Sequence, residues 1–153
     1  MSLERAKEHL KKYGLEDRII IFEESSKTVE LAAHALKCEE SDIAKTMSFS
    51  LDDKSIIIVV AGDKRIDNTK YKNEFGKKAK MIPKEEVEAL VGHEVGGVCP
   101  FGVNEDVEIY LDVSLKEHDI VYPAAGTGNS AVKIEVNKLE EILNYKKWID
   151  VCK

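Results

Sequence analysis

Ile43-Ala44-Lys45-Thr46-Met47-Ser48-Phe49-Ser50-Leu51-Asp52-Asp53-Lys54-Ser55-Ile56-Ile57-Ile58-Val59-Val60 is the stretch that decides the fold class. Two runs rich in β-branched and aromatic residues, 43–49 and 55–60, flank Asp52-Asp53-Lys54, which reads as a hairpin turn. A strand over 43–49 puts Ile43, Lys45, Met47 and Phe49 on one face. Three of these are large and apolar, so Lys45 points where a core is expected. Such a lysine either snorkels its ammonium to water from the strand end or lines a pocket mouth and meets an anion. The pattern alone leaves both open.

Working outward, residues 18–22 and 29–36 read as a strand and a short helix, the helix opened by Thr28 with Glu30 in its first turn. A helix over 3–13 precedes them, stopped by Gly14. Downstream, Pro83 suits the first position of a helix over 84–91, ended by Gly92. Strands are expected at 107–113, 120–122 and 132–136, and Asn137 caps a last helix reaching about Tyr145. Short strands with peripheral helices predict an α/β fold, a mixed, barrel-like β-sheet with flanking helices. With 153 residues, no internal repeat and no low-complexity linker, residues 1–153 are expected to form one domain.

Composition narrows the function classes. Hydrophobic residues make up 43% and charged residues 34%, values of an ordinary globular protein. No apolar run is long enough to span a bilayer, so no membrane partner is expected. The N-terminal segment mixes charge with apolar residues and reads as an amphipathic helix, not an export signal; a cytoplasmic location follows as the expectation. Cys38, Cys99 and Cys152 form no CxxC pair, and the histidines show no HExxH spacing, so neither a metal nor another cofactor is expected. The net charge of −6 excludes a general nucleic-acid coat protein. It does not exclude a local basic face. Residues 64–80 carry Lys70, Lys72, Lys77 and Lys78 among seven cations, either a solvated face or a phosphate-contacting edge.

Two loops invite chemistry. Gly92-His93-Glu94-Val95-Gly96-Gly97-Val98-Cys99-Pro100-Phe101-Gly102 concentrates glycines that let bare N–H groups approach a ligand. Ala124-Ala125-Gly126-Thr127-Gly128-Asn129-Ser130-Ala131 matches GxGxxA, but the residues after it alternate like a strand. A dinucleotide site would need a helix there. This loop is therefore a tight turn whose small residues leave space. Cys99 beside a histidine could form a nucleophile and base, yet nothing in sequence places an orienting partner; a small buried thiol is the other reading.

Lys45-Thr46-Met47, then Gly96 to Pro100 as a GxxxP loop with Phe101 and Gly102, then the small-residue turn at 124–129, together resemble the YbaK/EbsC family of synthetase editing domains and their free-standing relatives. The resemblance covers nearly the whole chain. It implies a mixed, barrel-like sheet and hydrolysis of the ester joining an amino acid to the terminal adenosine of tRNA. Lys45, Gly96 and Pro100 would be the catalytic set, Lys45 holding the terminal adenosine or its phosphate. Thr46, Met47, Gly97, Val98, Cys99 and Phe101, with the opposite wall Ala124, Ala125, Gly126, Thr127 and Gly128, would bind the aminoacyl group. Lys70, Lys72, Lys77 and Lys78 would meet the tRNA. Aminoacyl-tRNA is the implied partner, through its acceptor end, with a synthetase as a second one. Members that favour cysteinyl-tRNA carry a serine where Ala124 stands, which leaves alanyl, seryl or threonyl groups as expected substrates. Two other readings remain, a non-catalytic module for the acceptor end and a cysteine hydrolase built on Cys99.

Overall fold

The computed structural model describes residues 2–153; Met1, where the reading of the N-terminal segment begins, lies outside them. In chain order, α1 (Ser2–Lys11) and β1 (Ile19–Ile21) lead to α2 (Val29–Leu36). The hairpin of β2 (Ile43–Leu51) and β3 (Lys54–Ala61) follows, then α3 (Asn68–Phe75) and α4 (Lys84–Val91). The rest is β4 (Glu108–Asp112), β5 (Ile120–Pro123), β6 (Ser130–Val132), β7 (Ile134–Glu135), α5 (Val136–Ile142) and β8 (Tyr145–Ile149). Six strands form one curled, half-barrel sheet in the order β7-β5-β2-β3-β4-β8, and β1 pairs with β6 beside it.

The hairpin is the centre of the sheet. Its antiparallel register runs from Ala44 opposite Ala61 to Leu51 opposite Lys54, and Asp52 takes the left-handed turn conformation at φ 57°. Residues Ile56 to Ala61 are all 0% exposed. A strand buried on both faces needs a continuous apolar run, and β3 has one because β2 and a parallel β4 flank it. On one face, Ile57, Val59, Ile109 and Leu111 pack with α1, α4 and α5 through Leu10, Val91 and Leu139. On the other, Phe49, Ile58 and Val60 pack with Tyr71 of α3 and with Val151.

One interruption in this sheet matters most. β5 runs parallel to β2 only at Ile43–Tyr122 and Ala44–Pro123. Beyond Pro123 the chain leaves the ladder and turns into Ala124 and Ala125, which belong to no strand. The same edge of β2 is covered again only where Met81 bridges Phe49, with Ile82 N–H on the Ser48 carbonyl (3.2 Å) and Ser50 N–H on the Lys80 carbonyl (2.8 Å). Between these points the edge is open. Backbone direction alternates along the strand, so the Thr46 N–H and carbonyl face the same way as those of Ser48 and Ser50.

Several expectations are adjusted. The strand expected at 132–136 is two short strands in different sheets, separated at Lys133, whose N–H bonds the Arg18 carbonyl (3.2 Å). The last helix starts at Val136 behind Glu135, not behind Asn137, and ends at Ile142. Pro83 caps α4 instead of occupying its first turn. Two elements had no sequence counterpart. In α3, Asp67 caps the Thr69 and Lys70 N–H groups, and Tyr71 stacks between Phe49 and Phe75 at 5.2 and 4.7 Å. β8 is an edge strand with Lys146 and Lys147 exposed, a composition that blocks further pairing. Among the described residues, no helix is long and apolar enough to cross a membrane.

Candidate active site

The open edge of β2 forms one wall of a cavity of about 260 Å³. Ala44, Thr46 and Ser48 project from that wall, Val29 and Ala32 of α2 close one side, and Ile82 and Val87 close another. The two sequence-predicted loops meet over it, contributing Gly96 and Val98 from one and Ala124 from the other. Their junction is backbone against backbone. A Cβ placed on Gly97 would lie 2.4 Å from both the Gly126 carbonyl carbon and the Thr127 nitrogen. Only glycine permits that approach.

Its electrostatics are one-sided. Among the described residues, the charged lining residues are Lys27, Lys45 and Lys84, and no Asp, Glu, His or Cys lines the cavity. Lys45 reaches it from the strand wall, but alternation sends its side chain to the Met47 and Phe49 face, as the sequence predicts. There Nζ donates to the Lys64 carbonyl at 2.8 Å, and burial holds the ammonium below the ordinary lysine value. Ser26 Oγ and Thr46 Oγ1 are buried without a hydrogen-bond partner. Such a hydroxyl costs about 1–3 kcal/mol, so two beside one cavity mark a place prepared for something polar.

A broader depression of about 890 Å³ lies against α1 and mixes Glu4, Glu8 and Glu105 with Arg5 and Lys12. It selects neither charge. Pro100 lines this depression and not the cleft, so its part in the loop is to shape the backbone from behind.

The remaining expected site residues divide cleanly. Lys45, Thr46, Gly96, Val98 and Ala124 line the cleft. Cys99, Phe101 and Ala125 are 0% exposed and belong to the core under it, a correction to their reading as contact residues. Met47 faces the opposite core, because it alternates with Thr46. Gly97 and Gly126 make the loop junction, Thr127 Oγ1 bonds Asn129 and Ser130 (2.9 and 2.6 Å), and Gly128 packs on the Lys27 stem. Gly97, Gly126, Thr127 and Gly128 are not among the residues that line the cavity.

Cys99 is not placed as a nucleophile. Burial pushes its thiol up to about 12. His93 Nε2 lies 3.5 Å from Sγ, but the same nitrogen is spent on the Phe101 carbonyl. Among the expected tRNA contacts, Lys70 is held by Asp150 (3.2 Å) and the Cys152 carbonyl (2.8 Å), and Lys77 pairs with Asp52. Lys72 and Lys78 are exposed and belong to no ion pair among the described residues.

Sequence reasoning missed Lys27, Lys84, Ser26 and Tyr122, all of which line the cleft. Lys27 and Ser26 sit just ahead of the Thr28 cap, where polar residues are ordinary, so no local signal distinguishes them.

Similarity to known proteins agrees with this geometry. The chain matches the family profile described as the aminoacyl-tRNA editing domain over residues 23–142. It is 47% identical over 154 aligned positions to uncharacterized protein YwhH of Bacillus subtilis (strain 168), covering 100% of this chain and 98% of the relative. It is 37% identical over 87 positions to the proline–tRNA ligase of Bacillus cytotoxicus, an alignment spanning 56% of this chain and 15% of that longer enzyme. Among solved structures, a proposed trans-editing enzyme for prolyl tRNA synthetase superposes with a TM-score of 0.88 at 26% identity, over 99% of this chain and 97% of the other. The half-barrel sheet with its flanking helices is thus a shared fold, and the chain belongs to the aminoacyl-tRNA editing domain family.

Proposed function

We propose that this domain hydrolyses the ester of mischarged aminoacyl-tRNA, acting on small aminoacyl groups, with alanyl first and seryl or threonyl next. The observation that carries the reading is the charge of the cleft: in a chain of net charge −6, the charged residues among its described lining are all lysines. The acceptor end of a tRNA brings phosphates to such a mouth and a short neutral ester into its apolar interior.

The chemistry asks little of side chains. Water adds to the ester carbonyl, the bond to the ribose oxygen breaks, and the amino acid and free tRNA leave. An ester is already activated, so placing water and stabilising the oxyanion are the main tasks. The N–H of Thr46 on the open edge and the backbone of the loop at Gly96 are the donors we assign to that oxyanion, and Lys45, a lining residue whose ammonium rests on the Lys64 carbonyl, is the cation we assign to the end of the substrate. Among the described residues no imidazole or carboxylate lines the cleft, which supports a route in which a ribose hydroxyl or the substrate amine orients the water.

Size supports the substrate class. A cavity of about 260 Å³ lies below the ~300–1,000 Å³ of pockets for drug-sized ligands. Ala32, Ala44, Ala124 and Ala131 keep its walls short. A binding site alone separates amino acids differing by one small group by only ~1–3 kcal/mol, which is why a second, hydrolytic sieve is useful.

The test offers alanyl, seryl, threonyl, cysteinyl and phenylalanyl esters on one tRNA body under single-turnover conditions. Fastest loss of the alanyl ester is expected. Fastest loss of the phenylalanyl or cysteinyl ester refutes the pocket assignment, and binding without turnover refutes the hydrolase. Lys45→Ala is expected to abolish hydrolysis while unfolding remains cooperative.

A further inference from the structure

Lys27 is held in an unusual way for an exposed lysine. Its stem runs over the glycines of both loops. A Cβ on Gly96 would come within 3.0 Å of Lys27 Cγ, and one on Gly128 within 2.6 Å of Cγ and 2.7 Å of Cε. Both positions therefore have to lack a side chain for the lysine to lie where it does. Its backbone is fixed as well. The neighbouring Ser26 N–H bonds the Gly128 carbonyl (2.7 Å), Phe22 N–H bonds the Asn129 carbonyl (2.7 Å), and Thr28 caps α2 through the Leu31 N–H (3.1 Å). A long side chain confined in this way has already lost much of the rotamer entropy that binding would otherwise cost.

Among the described residues, the charge at the end of that stem has no ion-pair partner. Among the described residues, Lys27 enters no ion pair and no carboxylate lines the cleft it borders. An ammonium that is both placed and unpaired is set to receive an anion. On the proposed reading, the substrate end carries three kinds of group. The α-amine is cationic or neutral and would be repelled or ignored, and the ester is neutral. The phosphodiesters of the acceptor strand are the anions.

Resting on that reading, we propose that Lys27 is a positioning residue whose ammonium binds a phosphodiester of the single-stranded acceptor end, while its stem holds the two glycine loops in register. It sets where the ester comes to rest without touching the reacting atoms. Lys45 and Lys84 lie on other walls, so this contact is a separate one.

The experiment compares wild type, Lys27→Met and Lys27→Arg. Methionine keeps an apolar stem over Gly96 and Gly128 and removes the charge; arginine keeps the charge. Each protein is assayed on aminoacyl-tRNA and on aminoacyl-adenosine, which has the ester but no phosphate. Binding of uncharged CCA-ended tRNA is measured in parallel over a range of salt. Selectivity for aminoacyl-tRNA over aminoacyl-adenosine should fall about tenfold in Lys27→Met, through KM, since hydrogen bonds to charged groups are worth about that much. Its log-affinity against log-salt slope should flatten by roughly 0.7, one single-strand phosphate. Lys27→Arg should restore both.

Equal losses on the two substrates, or an unaltered salt slope, would overturn the proposal. A wild-type protein that turns over neither substrate would overturn the hydrolase reading instead. Lys27 would then be judged by tRNA binding alone, where equal affinity of wild type and Lys27→Met overturns it and a flattened slope upholds it.

Discussion

Gly97→Ala is the sharpest perturbation of the site, because it adds one methyl where the two loops touch. The new Cβ would sit 2.4 Å from two backbone atoms, against 3.4–4 Å for ordinary contact. The loops at 96–98 and 124–128 must therefore part by about 1 Å, since neither backbone atom can rotate away as a side chain would. Overpacking of this kind costs about 1–3 kcal/mol, a fall of about 2–12 °C in Tm for a chain of this size. The kinetic effect should be larger. A displacement of about 1 Å in groups that place a substrate can cost about a hundredfold in rate. Single-turnover deacylation and thermal unfolding are measured on the same preparation. Gly14→Ala is the control: Gly14 has a positive φ of 71° with nothing within 4 Å, so alanine there adds backbone strain far from the cleft. Gly14→Ala should lower Tm and keep the rate, whereas Gly97→Ala should lower both. A Gly97→Ala protein with the wild-type rate would show that the loop junction does not set the reaction geometry.

Three further outcomes follow from the same geometry. Cys99→Ala should keep the hydrolysis rate within several-fold, and native Cys99 should resist alkylation, because a fully buried thiol near 12 supplies no thiolate; a hundredfold loss would return the thiol to the chemistry. Charge reversal at Lys72 and Lys78 should flatten the salt dependence of tRNA affinity by roughly 1.4–1.8, two phosphates' worth, whereas Lys70 and Lys77 are already paired and should contribute less; an unaltered slope would make this segment a solvated face. In pH titrations, burial holds His9 and His93 below the ordinary 6.5, so the unfolded chain binds their protons first. Their contribution is complete above about pH 6.5 and is lost as pH falls below it. His9 makes the loss structural, since its neutral ring accepts from Gly102 N–H (2.8 Å) and donates to the Ile142 carbonyl (2.7 Å). A Tm that rises between pH 7 and 5.5 would refute this.

The fold class was legible because its central hairpin is written in strong, local terms. An unbroken apolar run at 56–61 and a polar turn leave few alternatives, and Thr28 and Gly92 mark helix ends by their own chemistry. α3 was not legible. Its buried contribution is one tyrosine stacked on residues from elsewhere, so it lacks a wide apolar stripe. β8 escaped for a related reason, since an edge strand with lysines on its open side has weak alternation. In the site, the two loops could be picked out by composition, but their contact at Gly97 is a tertiary fact. The errors at Met47, Cys99, Phe101 and Ala125 share a cause: motif membership was read as cleft exposure, although every second residue of a strand or tight loop must face inward. Lys27 was invisible because the glycines that make room for it lie about 70 and 100 residues away in sequence.

The sign of the protein's charge bears on how it could meet a polyanion at all. At physiological ionic strength the Debye length is about 8 Å, so charges farther away are largely screened. A net charge of −6 therefore gives no long-range pull toward RNA, and the lysines of the cleft dominate only within a short reach. On the proposed reading, such a field suits recognition of a chain end and not of a duplex surface, because an end can enter the mouth while the rest of the molecule stays outside the screened distance. The opening itself originates at Pro123, where the ladder of β5 on β2 stops and the Thr46 backbone is left facing the cleft. On the proposed reading, the early end of β5 creates the entry, and the lysines of its lining decide that what enters is the phosphate-bearing end of a strand.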